Sequence, residues 1–264
     1  MVGASDVAGA HHRAKHCERA WCPGGRWRHD GNGDEGRGTR DGEGQAAWIA
    51  AAGRLAAIVG SAFLAWVVAL QFMRDDLAWV DAQLSLYLHG PYGLGLRTAY
   101  CLMAAAMAVV ALALQQALQA GARSRTVLGL FWCAALGLGG VAIGDSWLPD
   151  LAPDVAPLVH LLSAQTAFLC VIAAVLLQSW WFRHDPRWRD RFGPAFAVGV
   201  LAFAVLAWNA GVRSAPRGLS QKLAIVLIVG WLVMVGAWLG WRNRAGAAPQ
   251  ATSRDNADVQ PEEH

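Results

Sequence analysis

The chain has 264 residues, of which 55% are hydrophobic and 16% charged, with a formal net charge of +3. A soluble domain carries about 25% charged residues, so this composition excludes an ordinary water-solvated globule. The small excess of positive charge also provides no electrostatic footprint for nucleic acid. Charge is segregated as well: residues 1–45 and 242–264 hold much of it, and the stretch between is nearly bare.

Residues 1–45 interleave Gly24, Gly25, Gly31, Gly33, Gly36, Gly38, Gly42 and Gly44 with Arg, Asp and Glu and have no helical or strand period. They are expected to form a disordered tail. The cluster His11, His12, His16, Cys17 and Cys22 lies within it, but its spacing fits no closed zinc pattern.

Six apolar stretches follow, at residues 55–73, 99–120, 126–147, 156–181, 194–212 and 219–241. A hydrocarbon core of roughly 30 Å takes about 20 helical residues per crossing. The expected fold is therefore all-α: a six-helix transmembrane bundle over 46–244, flanked by disordered cytoplasmic tails at 1–45 and 245–264. Of the five cysteines, Cys101, Cys133 and Cys170 fall inside spans, where a thiol behaves as a small hydrophobe, and no disulfide framework is indicated.

Between the first two spans, Leu77, Val80, Leu84, Tyr87 and Leu88 recur at three- and four-residue spacing. This pattern predicts a short amphipathic helix lying in the interface, or serving as a lid over the mouth of the bundle. Gly90, Pro91 and Gly93 then break it. The pairs Gly140/Gly144 and Gly236/Gly240 mark faces where helices can approach closely. Trp48, Trp79, Trp147, Trp180, Trp181, Trp208 and Trp241 fall near span ends, as an interfacial belt requires.

Short loops rich in Lys and Arg stay cytoplasmic. Arg37, Arg40, Arg54, Arg123, Arg125, Arg183, Arg187, Arg189, Arg191, Arg242 and Arg244 lie on one side, against Arg74, Arg97, Arg213, Arg217 and Lys222 on the other. Eleven basic residues against five place both termini in the cytoplasm. The basic residues around the fifth loop then face outward and are expected to have acidic partners there.

Several short motifs stand in a suggestive order. Asp81-Ala-Gln-Leu-Ser85-Leu-Tyr87-Leu-His89-Gly90-Pro91-Tyr92-Gly93 precedes span two, and Gly144-Asp145 ends span three. His160-Leu-Leu-Ser163-Ala-Gln165 opens span four, Arg183-His184-Asp185-Pro186-Arg187-Trp188 follows it, and Arg217-Gly218-Leu219-Ser220-Gln221-Lys222 opens span six. The order resembles the bacterial membrane family known only as domain-of-unknown-function family 998, over residues 46–244. The resemblance implies a multi-pass inner-membrane protein and brings no established activity. The family's proline–aspartate turn at the end of span three can match either Asp145 or Pro149-Asp150.

An ionisable residue at membrane depth is costly and is by default a functional hypothesis. His160 lies one turn into span four with Ser163 on its face, and Asp145 closes span three at the same level. Asp81, Gln165, Asn209, Arg213, Arg217, Gln221 and Lys222 complete a candidate pocket near the outer surface, whereas the inner half has nothing comparable. Three readings fit. In the first, these groups tie helix ends together and Gln165 bonds across helices, a structural role. In the second, Asp145 and His160, with Asp81 or His89, hold Zn2+ in a membrane hydrolase. In the third, the pocket binds a lipid headgroup or small solute, with Arg213, Arg217 and Lys222 facing an anion. The sequence does not decide whether the protein is an enzyme. Membrane lipids are the expected partners. A haem is not expected, because only His160 lies within a span.

Overall fold

The computed structural model describes residues 35–212 and 216–246. They form six α-helices: α1 (Glu35–Met73), α2 (Gly93–Ala117), α3 (Arg125–Leu151), α4 (Ala156–Phe182), α5 (Phe192–Gly211) and α6 (Arg217–Gly246). Short 3-10 turns lie at Leu84–Leu88, Ala120–Ala122 and Arg189–Arg191, and no strand occurs among the described residues. Each helix contains a stretch long and apolar enough to cross a membrane: Gly42–Met73, Gly93–Ala117, Arg125–Ser146, Ala156–Phe182, Arg189–Gly211 and Arg217–Trp241. The expected six-span, all-helical architecture is present. The packing described below belongs to residues from Asp41 onward.

Two boundaries differ from expectation. Residues 35–45 are helical rather than unstructured. A nucleated helix gains one hydrogen bond for each residue it adds, so α1 continues outward through Gly42 and Gly44. The rest of both expected tails, 1–34 and 247–264, lies outside the described residues, as does the His/Cys cluster near the start.

The second difference concerns the segment after α1. It is not an amphipathic α-helix on the interface but a run of turns ending in the five-residue 3-10 turn Leu84–Leu88. Leu84, Tyr87 and Leu88 are buried against the bundle. Three polar contacts fasten this cap to three helices. The Leu84 N–H donates to Gln221 Oε1 on α6 (3.0 Å), Tyr87 Oη donates to Gln71 Oε1 on α1 (3.0 Å), and Arg97 Nε on α2 donates to the Leu88 carbonyl (3.1 Å). The start of α6 also docks here, through Leu219 N–H to the Val80 carbonyl at 2.8 Å. Gly218 permits this approach, because a Cβ there would stand 2.5 Å from the Ala82 carbonyl oxygen.

Small residues sit where helices cross, as the sequence indicated. A Cβ on Gly236 of α6 would lie 2.7 Å from the Gly53 carbonyl oxygen of α1, and one on Gly53 would lie 2.5 Å from the Gly236 carbonyl oxygen. Gly240 packs on Arg54 of the same neighbour. On α3, Gly137 and Gly140 receive Ser163 and Ala167 of α4. Lipid offers no hydrophobic drive for such contacts, so close backbone packing has to supply the attraction.

The buried residues of α4 and α5 lie in one half of each helix. The buried residues of α4 run from Val171 to Phe182, and those of α5 are Ala195, Gly199 and Ala202. Over 156–170 and 203–211, neither helix has a buried residue.

Candidate functional site

At the end of the bundle where α3 finishes and α4 begins, the chain turns through Pro149, Pro153 and Pro157. This turn brings Asp145 and His160 together. His160 Nδ1 lies 2.9 Å from Asp145 Oδ1. A carboxylate only accepts hydrogen bonds, so Nδ1 carries a proton and donates. The second carboxylate oxygen, Oδ2, is buried and has no hydrogen-bond partner among the described residues. His89 Nε2, from the cap, stands 3.8 Å from it. The Asp145 side chain is 9% exposed, His160 28% and His89 57%, so the carboxylate forms the floor and the two imidazoles lead outward.

These three side chains line an open cleft of about 320 Å3, together with Ser85 and the three prolines. Ser85 and His160 also line a second cavity, of about 90 Å3, which runs into the bundle. Its walls are apolar and come from five helices, with Phe63, Tyr100, Met103, Leu138, Phe168 and Ile225 representing them. Gln221 lines it as well. A polar cleft and an apolar crevice thus share two residues.

The cap positions His89 through Arg74. Arg74 forks onto Asp76, with Nε and Nη2 each 2.7 Å from a carboxylate oxygen, and Nη1 donates to the His89 carbonyl at 2.7 Å. Such bidentate pairs fix geometry as well as charge. The guanidinium holds the Asp76 carboxyl below its ordinary range, and that hydrogen bond raises Arg74 in turn. Burial pushes the Tyr87 phenol up.

The remaining expected residues distribute unevenly. Gln221 reaches the crevice, although its Oε1 is engaged by the cap. Asn209 accepts a 2.7 Å hydrogen bond from Ser220 and so ties α5 to α6 outside the cleft. Ser163 sits in the α3–α4 crossing against Gly140. Asp81, Gln165 and Arg217 are exposed and line neither cavity. Gln165 therefore faces away from the packing it was expected to bridge. Arg213 lies outside the described residues.

Lys222 is buried, but it points toward α1, where Nζ donates to Gln71 Oε1 (2.6 Å) and to the Trp79 carbonyl (2.7 Å). Its partners are an amide and a carbonyl rather than the acidic groups expected. The Tyr87 ring centroid lies 5.0 Å away. The expected cationic face toward an anion is not assembled: among the described residues, neither Arg217 nor Lys222 lines the cleft.

The zinc reading also lacks its ligand set. Asp145 and His160 bond to each other, Asp81 is turned away, and no group of three His, Cys, Asp or Glu side chains is disposed to hold a metal ion among the described residues.

Sequence reasoning quoted Ser85 and Pro149 within motifs but assigned neither of them, nor Tyr100, Pro153 or Pro157, to the site; these residues carry no charge and come together only once the chain is folded. It also treated the opposite end of the bundle as featureless. There Asp185 is fully buried, and its carboxylate accepts from the Gln119 and Arg187 N–H groups, both at 2.9 Å. Trp231 Nε1 donates to Ser179 Oγ at 3.0 Å within a stack of Phe131, Phe182 and Trp188. The Arg191 guanidinium lies over Trp188 and Trp238.

No curated protein and no solved structure matches the chain. A family model does, over residues 41–238, and its description is a protein of unknown function (DUF998). That match covers most of the sequence and the whole of the cleft and crevice, so the chain belongs to the DUF998 family of membrane proteins, as the order of its motifs suggested.

Proposed function

We propose that the protein binds a membrane amphiphile, with the polar head in the Asp145–His160–His89 cleft and part of the chain in the apolar crevice. The observation that carries this reading is the pair of residues shared by the two cavities, Ser85 and His160. A ligand site needs a mostly apolar wall and a few convergent polar groups, and this junction supplies both. The crevice residues Ala164, Ala167 and Phe168 lie on the half of α4 that has no buried residue, which favours lateral entry from the lipid. The cleft is at the acidic, arginine-poor end, so it faces outward, with both chain ends cytoplasmic in the plasma membrane. Among the described residues no group of three His, Cys, Asp or Glu side chains is disposed to hold a metal ion, so the metal-hydrolase reading gains no support.

The test is substitution of Ala167 by Trp, which fills the crevice without touching the cleft. Protein purified into nanodiscs is expected to retain a defined amphiphile by native mass spectrometry, and Ala167→Trp is expected to lose it. Equal retention by both proteins would overturn the proposal.

A further inference from the structure

The cleft is built to receive a positive charge. Asp145 is more than nine-tenths buried, lines the cleft, and presents Oδ2 with no donor to meet it among the described residues. A buried carboxylate left without a partner for one of its oxygens is costly. His160 satisfies only Oδ1, and His89 Nε2 stands 3.8 Å from Oδ2, beyond hydrogen-bond reach.

Beyond the two imidazoles, the surroundings offer no Lys or Arg to the carboxylate. From residue 126 to 182 the chain has no Lys or Arg. Pro149 and Pro153, which form one lip of the cleft, are each followed by an aspartate, Asp150 and Asp154. Of the basic residues near the other lip, Arg74 is forked onto Asp76, Arg97 is turned to the Leu88 carbonyl, and Lys222 is held by Gln71 and Trp79. Such a field repels phosphate and carboxylate heads and attracts an ammonium. A primary ammonium has hydrogens to place, and the cleft lining includes Asp145, whose Oδ2 is unpartnered among the described residues, and Ser85, whose hydroxyl can accept.

We infer that the headgroup is a primary ammonium, so that the ligand class is a long-chain amine or an amine-headed lipid, with Asp145 Oδ2 as the counter-ion. This deepens the amphiphile reading and rests on it. The binding is reversible, and no bond is made or broken.

The experiment compares four probes on the full chain in phosphatidylcholine nanodiscs by native mass spectrometry: dodecylammonium, dodecanol, dodecyl phosphate and ethanolammonium. Wild-type protein is expected to bind dodecylammonium at least tenfold more tightly than any other probe, and Asp145→Asn is expected to erase the preference over dodecanol. Dodecanol or dodecyl phosphate binding as well as dodecylammonium overturns the ammonium assignment and leaves the amphiphile pocket standing. Ethanolammonium binding as well as dodecylammonium overturns the chain-binding crevice and leaves the ammonium site standing. Binding of no probe overturns both. If Asp145→Asn does not fold, the wild-type ranking alone decides.

Discussion

The Lys222 ammonium on α6 donates to Gln71 Oε1 on α1 across 2.6 Å, and the same oxygen accepts from Tyr87 at 3.0 Å. One amide oxygen thus joins the first helix, the last helix and the cap between them. Replacing Lys222 with Met keeps the aliphatic stem and removes the charge. The expected loss is about 1–2 kcal/mol, the range for polar contacts between membrane helices. It should be read as a lower thermal midpoint in detergent. An unchanged midpoint would show that Lys222 contributes nothing to the junction.

The Arg74–Asp76 fork predicts a pH response of the cap. A carboxyl whose pKa is lowered by folding adds stability above its unfolded value, and that contribution disappears as pH falls through the folded value. Asp76 is lowered by its hydrogen bond to Arg74, so acidification below the ordinary carboxylate range releases the fork. Asp76 is well exposed, and the effect is local. Hydrogen exchange over 75–92, corrected for its intrinsic pH dependence, is expected to accelerate in acid. Arg74→Ala should show the accelerated rate already at neutral pH, and Arg74→Lys, which cannot fork, should fall between. A cap indifferent to both acid and substitution would contradict this role.

Glycine substitutions should divide by location. Gly236→Ala drives a methyl into the α1 backbone, whereas Gly129→Ala meets nothing within 4 Å. The first is expected to destabilise by about 1–3 kcal/mol as overpacking does. The second should be neutral or stabilising by up to ~1 kcal/mol through helix propensity. Unfolding in a denaturing detergent series ranks them, and the reverse order would refute the seam.

Topology gives a fourth expectation. A fluorescent protein fused after residue 264 should fluoresce, as it does only in the cytoplasm, and alkaline phosphatase inserted at residue 152 should be active, as it is only outside. The opposite pair of results would invert the cleft.

The six helices were legible because hydrocarbon thickness writes itself into run length, and Gly236/Gly240 because close crossings need small residues. Asp145 and His160 were legible as charge at membrane depth, although their 2.9 Å contact depends on the proline turn between them. Leu84, Tyr87 and Leu88 have helical spacing, but the same residues satisfy a 3-10 turn once Gln221 and Arg97 capture their backbone. Lys222 and Arg217 looked equivalent in sequence. Only folding separates a side chain held by Gln71 from one left in the open. Ser85 was visible within a motif, but an uncharged serine between two leucines gives no sign that it lines a cavity.

The glycine seam between α1 and α6 joins the first and last of these helices to leave the ribosome. The bundle is therefore sealed only when translation reaches the sixth span. Until then the flat face at Gly53 and Gly60 has nothing but acyl chains to meet, while another face of α1 can already pack on α2 through Phe63 and Tyr100.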